Sequence, residues 1–165
     1  MSTDAIVLLR EDHQQVRQQF RAFRKADQTP VQKQGIVDTI LELLTVHTYI
    51  ENEVMYPRVR ELLPDLEDDV LESYEEHHVA DLLCVELAAM DATDERFDAK
   101  TTVLIENVEH HMAEEEQDWF PKVREGLGRK QLQELGEELL EARKRAPRRP
   151  EQPSALKKAI DAVVS

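Results

Sequence analysis

The sequence predicts an all-α protein: an up-down-up-down four-helix bundle with an additional C-terminal helix and a tail. Three observations predict it. Glycine occurs only 4 times in 165 residues, while Leu, Glu, Ala, Arg and Gln, which favour helix, are abundant. No stretch alternates apolar and polar residues with the period of two that a half-buried strand requires. Apolar residues instead recur at spacings of three and four in segments separated by short breaks, the pattern of helices that each bury one face.

The first helix spans about residues 3–26, with Ile6, Leu9, His13, Val16, Phe20 and Phe23 as its inward stripe, so His13 lies on the apolar side. Thr29-Pro30 supplies a cap and a first-position proline for the second helix. Its inward face reads Ile36, Ile40, Leu43, Leu44, His47 and Ile50 or Glu51, and Pro57 is expected to end or bend it, because proline lacks a backbone donor. Leu63-Pro64-Asp65 breaks the chain, and Asp65 is the expected cap of a third helix over about 66–90, with Val70, Tyr74, His77, Leu83 or Cys84, and Leu87 inward. Thr93 or Asp94 is expected to cap a fourth helix over about 95–125, with Phe97, Val103, Leu104, Val108, His111 and Glu115 inward and Gly126-Leu127-Gly128 as its stop. Residues 129–145 read as a fifth helix on Leu132, Leu135, Leu139 and Leu140. A Pro/Arg-rich linker at 146–153 and a short surface helix at 155–164 complete the reading. The division is therefore a domain over 1–128 and a C-terminal helix and tail over 129–165.

The chain repeats itself. His47-x-x-x-Glu51 followed by Tyr56-Pro57-Arg58-Val59-Arg60-Glu61 recurs 64 positions later as His111-x-x-x-Glu115 followed by Phe120-Pro121-Lys122-Val123-Arg124-Glu125. His13 and His77 keep the same offset, each 34 residues ahead of the later His of its repeat. Four residues advance a helix by about one turn, so His and Glu in each copy share a face. Each repeat is one helical hairpin that cannot bury its stripe alone, and pairing the two brings His13, His47, Glu51, His77, His111 and Glu115 together.

Packing alone does not require this pattern. A single histidine on an inward stripe is ordinarily a core residue with a satisfied hydrogen bond, but a buried carboxylate is costly without a partner, and here two recur with four imidazoles. Six donors are too many for one tetrahedral zinc site. They suit two metal ions, each with two terminal histidines, bridged by the two carboxylates. Mixed imidazole and carboxylate donors favour iron, with manganese or zinc as competitors.

On Asp12-His13, His47-x-x-x-Glu51 with Tyr56-Pro57, Glu76-His77-His78, and His111-x-x-x-Glu115-Glu116 with Phe120-Pro121, the chain resembles the hemerythrin-like HHE cation-binding family over about residues 5–125. The resemblance implies a four-helix bundle around a non-haem di-iron centre, oxo- or hydroxo-bridged. It implies His13, His47, His77 and His111 as terminal ligands and Glu51 and Glu115 as bridges. The sequence departs from the oxygen-carrying members, which have five histidines. The residue four before His77 is Ser73, and the last carboxylate, Glu115, lies four rather than five residues after His111. An open coordination position is expected in place of the missing imidazole, suited to peroxide, oxygen or nitric oxide. Peroxide decomposition of a catalase or peroxidase kind is the first expectation, and a module that binds or senses oxygen, nitric oxide or iron availability is the alternative.

Two residues near these positions are candidates to support the ligands. Tyr74 lies about 60° round the helix from His77 and is placed to reach the metal or a bound oxygen species, unless it is simply a core tyrosine. Asp81, one turn past His77, is placed to orient it or to serve as a third carboxylate, although its repeat counterpart is Arg17, which suits a surface position. His78 and His110 break the repeat, each turned about 100° from its ligand neighbour, and read as residues that support the ligands or lie at the surface, and Trp119 reads as a packing anchor. Glu75-x-x-His78 is the sole Glu-x-x-His pair, whereas ferritin-type di-iron bundles need two. Cys84, the single cysteine, excludes an internal disulfide framework and matches Phe20 in the repeat, a core position.

The formal net charge is −14 and unevenly placed. Residues 126–165 hold 9 Lys/Arg against 6 Asp/Glu, and residues 1–125 hold the other 12 against 29. So acidic a body is expected to repel nucleic acid. No run of about 18 apolar residues suggests a membrane span, no signal peptide is visible at Met1-Ser2-Thr3-Asp4, and a cytoplasmic location is expected. The basic run Arg143-Lys144-Arg145 and Arg148-Arg149 suggests nucleic acid or another anionic partner, or a protein partner docking on the tail; a solvated tail balancing the acidic body is the plainer reading.

Overall fold

A computed structural model of the chain describes residues 3–25 and 28–150. Among them the structure is helical, without strands: α1 (Ala5–Phe23), α2 (Pro30–Ile50), α3 (Tyr56–Leu62), α4 (Glu67–Ala88), α5 (Phe97–Glu114), α6 (Phe120–Gly126) and α7 (Arg129–Arg145). Two π-turns, Glu51–Met55 and Glu115–Trp119, join α2 to α3 and α5 to α6, so the seven segments form five rods. The rod of α1 packs on α2, α2 on α4, α4 on α5 and α5 back on α1, closing the ring of an up-down-up-down bundle. The fifth rod, α7, lies outside the first hairpin against α1, α2 and the first π-turn.

Local chemistry accounts for most boundaries. The Asp4 carboxylate accepts from the Ile6 and Val7 amides to start α1. Thr29 and Gln32 form a reciprocal capping box ahead of Pro30, as the Thr29-Pro30 pair predicts. The predicted caps of the next helices do not form. Asp65 falls inside a 3₁₀ turn (Pro64–Leu66), and α4 begins without a side-chain cap. Thr93 and Asp94 are taken up in a turn in which the Asp91 carboxylate accepts from the Thr93 amide and Asp94 accepts from the Asp91 amide, so α5 starts only at Phe97.

Pro57 neither ends nor breaks its helix. A π-turn absorbs the missing donor: the Tyr56 N–H reaches back five residues to the Glu51 carbonyl, and the Tyr74 hydroxyl donates to the carbonyl of Asn52 at 3.3 Å. The second repeat does the same, with the Phe120 N–H on the Glu115 carbonyl ahead of Pro121. The widened turn sets Tyr56 roughly above Glu51, facing the bundle axis. In an unbroken α-helix those two positions would stand about 140° apart.

The core divides into two apolar clusters with a polar layer between them. One cluster gathers Ile6, Leu9, Ile50, Tyr56, Trp119 and Phe120 with Leu132, Leu135 and Leu139 of α7. The other gathers Val16, Phe20, Ile40, Cys84, Leu104 and Val108. Cys84 and Phe20 thus share one cluster, as their repeat relation suggests. Val103, expected inward, is 47% exposed; Leu104 and Ile105 carry that part of α5 into the core. Leu43, Leu83 and Leu140 are only partly buried. The surface helix expected at 155–164 lies outside the described residues.

Candidate metal centre

The polar layer contains all six residues singled out by the repeat. His13 and Glu51 are fully buried, and His47, His77, His111 and Glu115 are each less than a tenth exposed. Position on the rods explains it: Leu9 and Val16 flank His13 one turn away on α1, and Leu104 and Val108 precede His111 on its face of α5, so these histidines continue otherwise apolar faces. The imidazoles of one hairpin pair edge to face, His13 with His47 at 4.9 Å between ring centroids. The other pair repeats this, His77 with His111 at 4.8 Å.

The ligating atoms collect into two trios, each drawing its imidazoles from one hairpin and its carboxylate from the other. His13 and His47 stand with Glu115, and His77 and His111 with Glu51; within each trio one ligand atom per residue lies within 4.8 Å of the others. Both carboxylates span the two trios. Glu51 Oε1 lies 2.9 Å from His47 Nε2 and 3.3 Å from His77 Nε2. Glu115 sends Oε1 to within 3.3 Å of His13 Nε2 and Oε2 to 3.5 Å from His111 Nε2.

Every imidazole is held from behind. His47 Nδ1 lies 2.9 Å from Asp12 and His111 Nδ1 lies 3.2 Å from Glu76. His13 Nδ1 lies 3.1 Å from Glu116 and His77 Nδ1 lies 2.8 Å from Asn52. These four partners obey the 64-residue offset, Asp12 matching Glu76 and Asn52 matching Glu116. A partner on Nδ1 fixes the ring and leaves Nε2 aimed at the centre, which is how metal-binding histidines are usually oriented. The Arg17 guanidinium grips Glu116 through bonds of 2.9 and 2.7 Å, and Arg143 of α7 donates to Asp12 at 3.0 Å. Arginines therefore back both outer carboxylates of the first trio.

The centre suits cations on its own terms. His13 Nε2, His47 Nε2, both oxygens of Glu51 and Glu115 Oε1 are buried without a hydrogen bond, although opposing atoms approach within 2.9–3.3 Å. So many inward lone pairs left unsatisfied in one place would be costly in a plain core, and an ion among them removes the cost. The protein's own charges are strongly set here. Burial works against charge on His47, yet Glu51 and Asp12 outweigh it and hold the imidazole up at about 10. Burial likewise opposes charge on Glu115, and His111 and His13 pull its carboxyl well below the usual range. Burial lowers His77.

One residue in the centre escaped the sequence reading. Tyr56, fully buried, donates its hydroxyl to Glu115 Oε2 at 2.8 Å, and its oxygen lies 3.1 Å from His77 Nε2 and 3.2 Å from His111 Nε2. Burial, with Glu115 next, raises its pKa well above the ordinary phenol range, so the hydroxyl keeps its proton and donates. Its counterpart, Phe120, has no hydroxyl and stacks on His13 with ring centroids 5.8 Å apart. The two halves therefore share ligand types and differ in this oxygen and in the groups behind the rings, where Asn52 stands opposite Glu116.

The supporting residues chosen from sequence fall elsewhere. Tyr74 turns its hydroxyl to the Asn52 carbonyl and its ring edge-on to Tyr56, 5.3 Å between centroids, so it braces Tyr56 and the first π-turn. Asp81 does not orient His77, because Asn52 already holds Nδ1; burial pushes the Asp81 carboxyl up to about 6. His110 is peripheral, 3.1 Å from Glu114 at the surface. Trp119 packs edge-on to Tyr56, 5.4 Å between centroids.

A helical bundle whose core holds paired histidine and glutamate trios, each ring braced from behind, is a cation-binding bundle. Residues 4–123 match the hemerythrin HHE cation binding domain, and the chain belongs to that family. A crystal structure of a hemerythrin HHE cation binding domain-containing protein from Mycobacterium kansasii superimposes with a TM-score of 0.72 over 86% of each chain, at 21% identity, which bears on the fold. A DNA nickase of Nostoc sp. is 28% identical over 142 residues; the match takes in 86% of this chain and 40% of the length of that relative. Among the described residues no helix is long and apolar enough to cross a membrane.

Proposed function

We propose that the chain is a non-haem di-iron protein that acts on small uncharged oxygen species, hydrogen peroxide first among them. In this reading His13 and His47 hold one iron ion, His77 and His111 hold the other, and Glu51 and Glu115 bridge them. The observation that carries it is the pair of carboxylates reaching across both trios, with four Nε2 atoms facing them and four braced Nδ1 atoms behind. Bound there, a pair of iron ions would supply redox change and open coordination positions. Tyr56 would be a further oxygen donor in the half of the centre built on His77 and His111, and Phe120 leaves the other half without one. The two apolar clusters would close the centre above and below, and Tyr56 would steady the Glu115 carboxylate through the hydrogen bond it already donates.

Iron-loaded full-length chain should release oxygen from hydrogen peroxide faster than an equal amount of free iron. Release no faster than the free-iron control would remove the catalytic reading. A second reading, a sensor of oxygen or nitric oxide, has one observation of its own: Arg143 of α7 reaches Asp12, which holds His47, so the C-terminal helix is tied to the centre. Under that reading, ligand binding should shift α7 without turnover. The acidic body, −14 overall, speaks against a nucleic-acid substrate here, and supercoiled plasmid should stay closed when incubated with the chelator-washed protein.

A further inference from the structure

The centre opens to the surface on one side through a cavity of about 250 Å³ between α4 and the rod of α5 and α6. Its outer wall carries five carboxylates, Asp69, Glu72, Glu76, Glu114 and Asp118. Its inner end is formed by His111 and Glu115, 7% and 2% exposed. Glu115 Oε2 lies 3.5 Å from His111 Nε2, and its Oε1, without a hydrogen bond, faces His13 Nε2 at 3.3 Å, so the carboxylate links the inner end of the cavity to the far trio. Lys122 offsets part of this charge, 3.4 Å from Asp69 and 3.1 Å from Asp118. At the rim Glu76, His110 and Glu114 bring ligand atoms within 4.8 Å of one another, with His110 and Glu114 exposed. Glu76 belongs to both places, since the same residue lies 3.2 Å from His111 Nδ1.

The opposite side is different. There the cavity beside Asp12 is overlain by Arg143 and Arg148, and Arg143 is already bonded to Asp12. The carboxylates that line this cavity, Asp12 and Glu42, are matched by the two guanidinium groups, so this side lacks the net negative charge of the other.

We propose that the acidic cavity is the loading route for divalent cations, with Glu76, His110 and Glu114 as a transient rim site from which the ion passes inward to His111 and Glu115. This rests on the two-metal reading of the centre and extends it to how the ions arrive. A cleft lined by one sign of charge concentrates counter-ions and raises association rates by about 10–10³, an effect that falls steeply with salt. The rim carboxylates would therefore set the rate of loading and leave the amount finally bound unchanged. The same field would turn anions away and leave uncharged peroxide, oxygen or nitric oxide unaffected.

The test is anaerobic uptake of ferrous ion by metal-stripped full-length chain, followed by stopped flow at low and high salt, with final metal counted by elemental analysis. The combined variant Glu72→Gln, Glu114→Gln, Asp118→Asn touches no residue of the centre and none that holds one. It should load about tenfold more slowly than wild type at low salt, lose most of the salt dependence, and finish with the same metal content. His110→Ala should slow loading in the same direction by less. A combined variant with wild-type helicity that loads at the wild-type rate, with the wild-type salt dependence, overturns the route. A wild-type chain that binds no iron overturns the reading of the centre, and the route with it, and its own stoichiometry reveals this without any variant.

Discussion

Replacing Tyr56 with Phe isolates one oxygen atom. The ring should fit, because Phe120 occupies the equivalent place in the other repeat against its own histidine. What is lost is the bond of 2.8 Å to the buried Glu115 carboxylate and the contacts of 3.1 and 3.2 Å to His77 and His111. A hydrogen bond to a charged group contributes about 1.5–3 kcal/mol, and Glu115 keeps other partners, so a loss of about 2 kcal/mol is expected in the metal-stripped protein. For a chain of this size that is a fall in Tm of roughly 4–8 °C by circular dichroism. In the iron-loaded protein the metal content should stay the same. The oxidised wild type should show a visible absorption band from phenolate bound to ferric iron, and Tyr56→Phe should lack it. An unchanged Tm in the stripped protein would mean that the hydroxyl is not bonded to Glu115. A wild-type spectrum identical to that of the variant would remove Tyr56 from the donor set.

Further outcomes follow from other contacts. Asp12→Ala removes the group behind His47 and should weaken metal affinity by about 10–100-fold in competition titrations with a chelator, as loss of an outer partner generally does. Gly136→Ala should destabilise by about 1–3 kcal/mol in urea titration, because a Cβ there would lie 1.5 Å from the Thr3 carbonyl oxygen and push α7 off α1; Gly35→Ala, with nothing within 4 Å, should stabilise α2 by up to about 1 kcal/mol. Asp81, with its carboxyl raised to about 6 by burial, favours the folded state while protonated. Its contribution is complete below about pH 4 and is lost as pH rises through 6, so Asp81→Asn should stabilise the protein at pH 7 by about 1 kcal/mol and leave it unchanged at pH 4.

How much of this was legible in the sequence depended on which signal carried it. The four histidines and two glutamates stood out because the 64-residue repeat preserved them while much around them diverged. Thr29-Pro30 gave the start of α2 because capping is a local matter that a few residues decide. Tyr56 was hidden because α-helical periodicity places it away from Glu51, and only the π-turn brings it round; the aromatic-Pro pair at the same offset in both repeats was the available sign. Asp12 and Glu76 were visible beside their histidines, yet each holds the histidine of the neighbouring helix, a relation that sequence adjacency conceals. Glu116 and Asn52 were harder still, since they occupy one repeat position with different side chains. Asp81 misled because one-turn spacing from His77 is shared by residues that point elsewhere. The caps expected at Asp65 and Asp94 failed because tight turns claimed those carboxyl-bearing residues first.

The central claim is that two hairpins share a pair of cations between them, and the metal-to-protein ratio after expression in iron-replete medium tests it most directly. Two iron atoms per chain are predicted for wild type and for His110→Ala, and one or none for His47→Ala and Glu51→Ala. Fewer than two iron atoms in the wild type, or equal loss in all three variants, would contradict it.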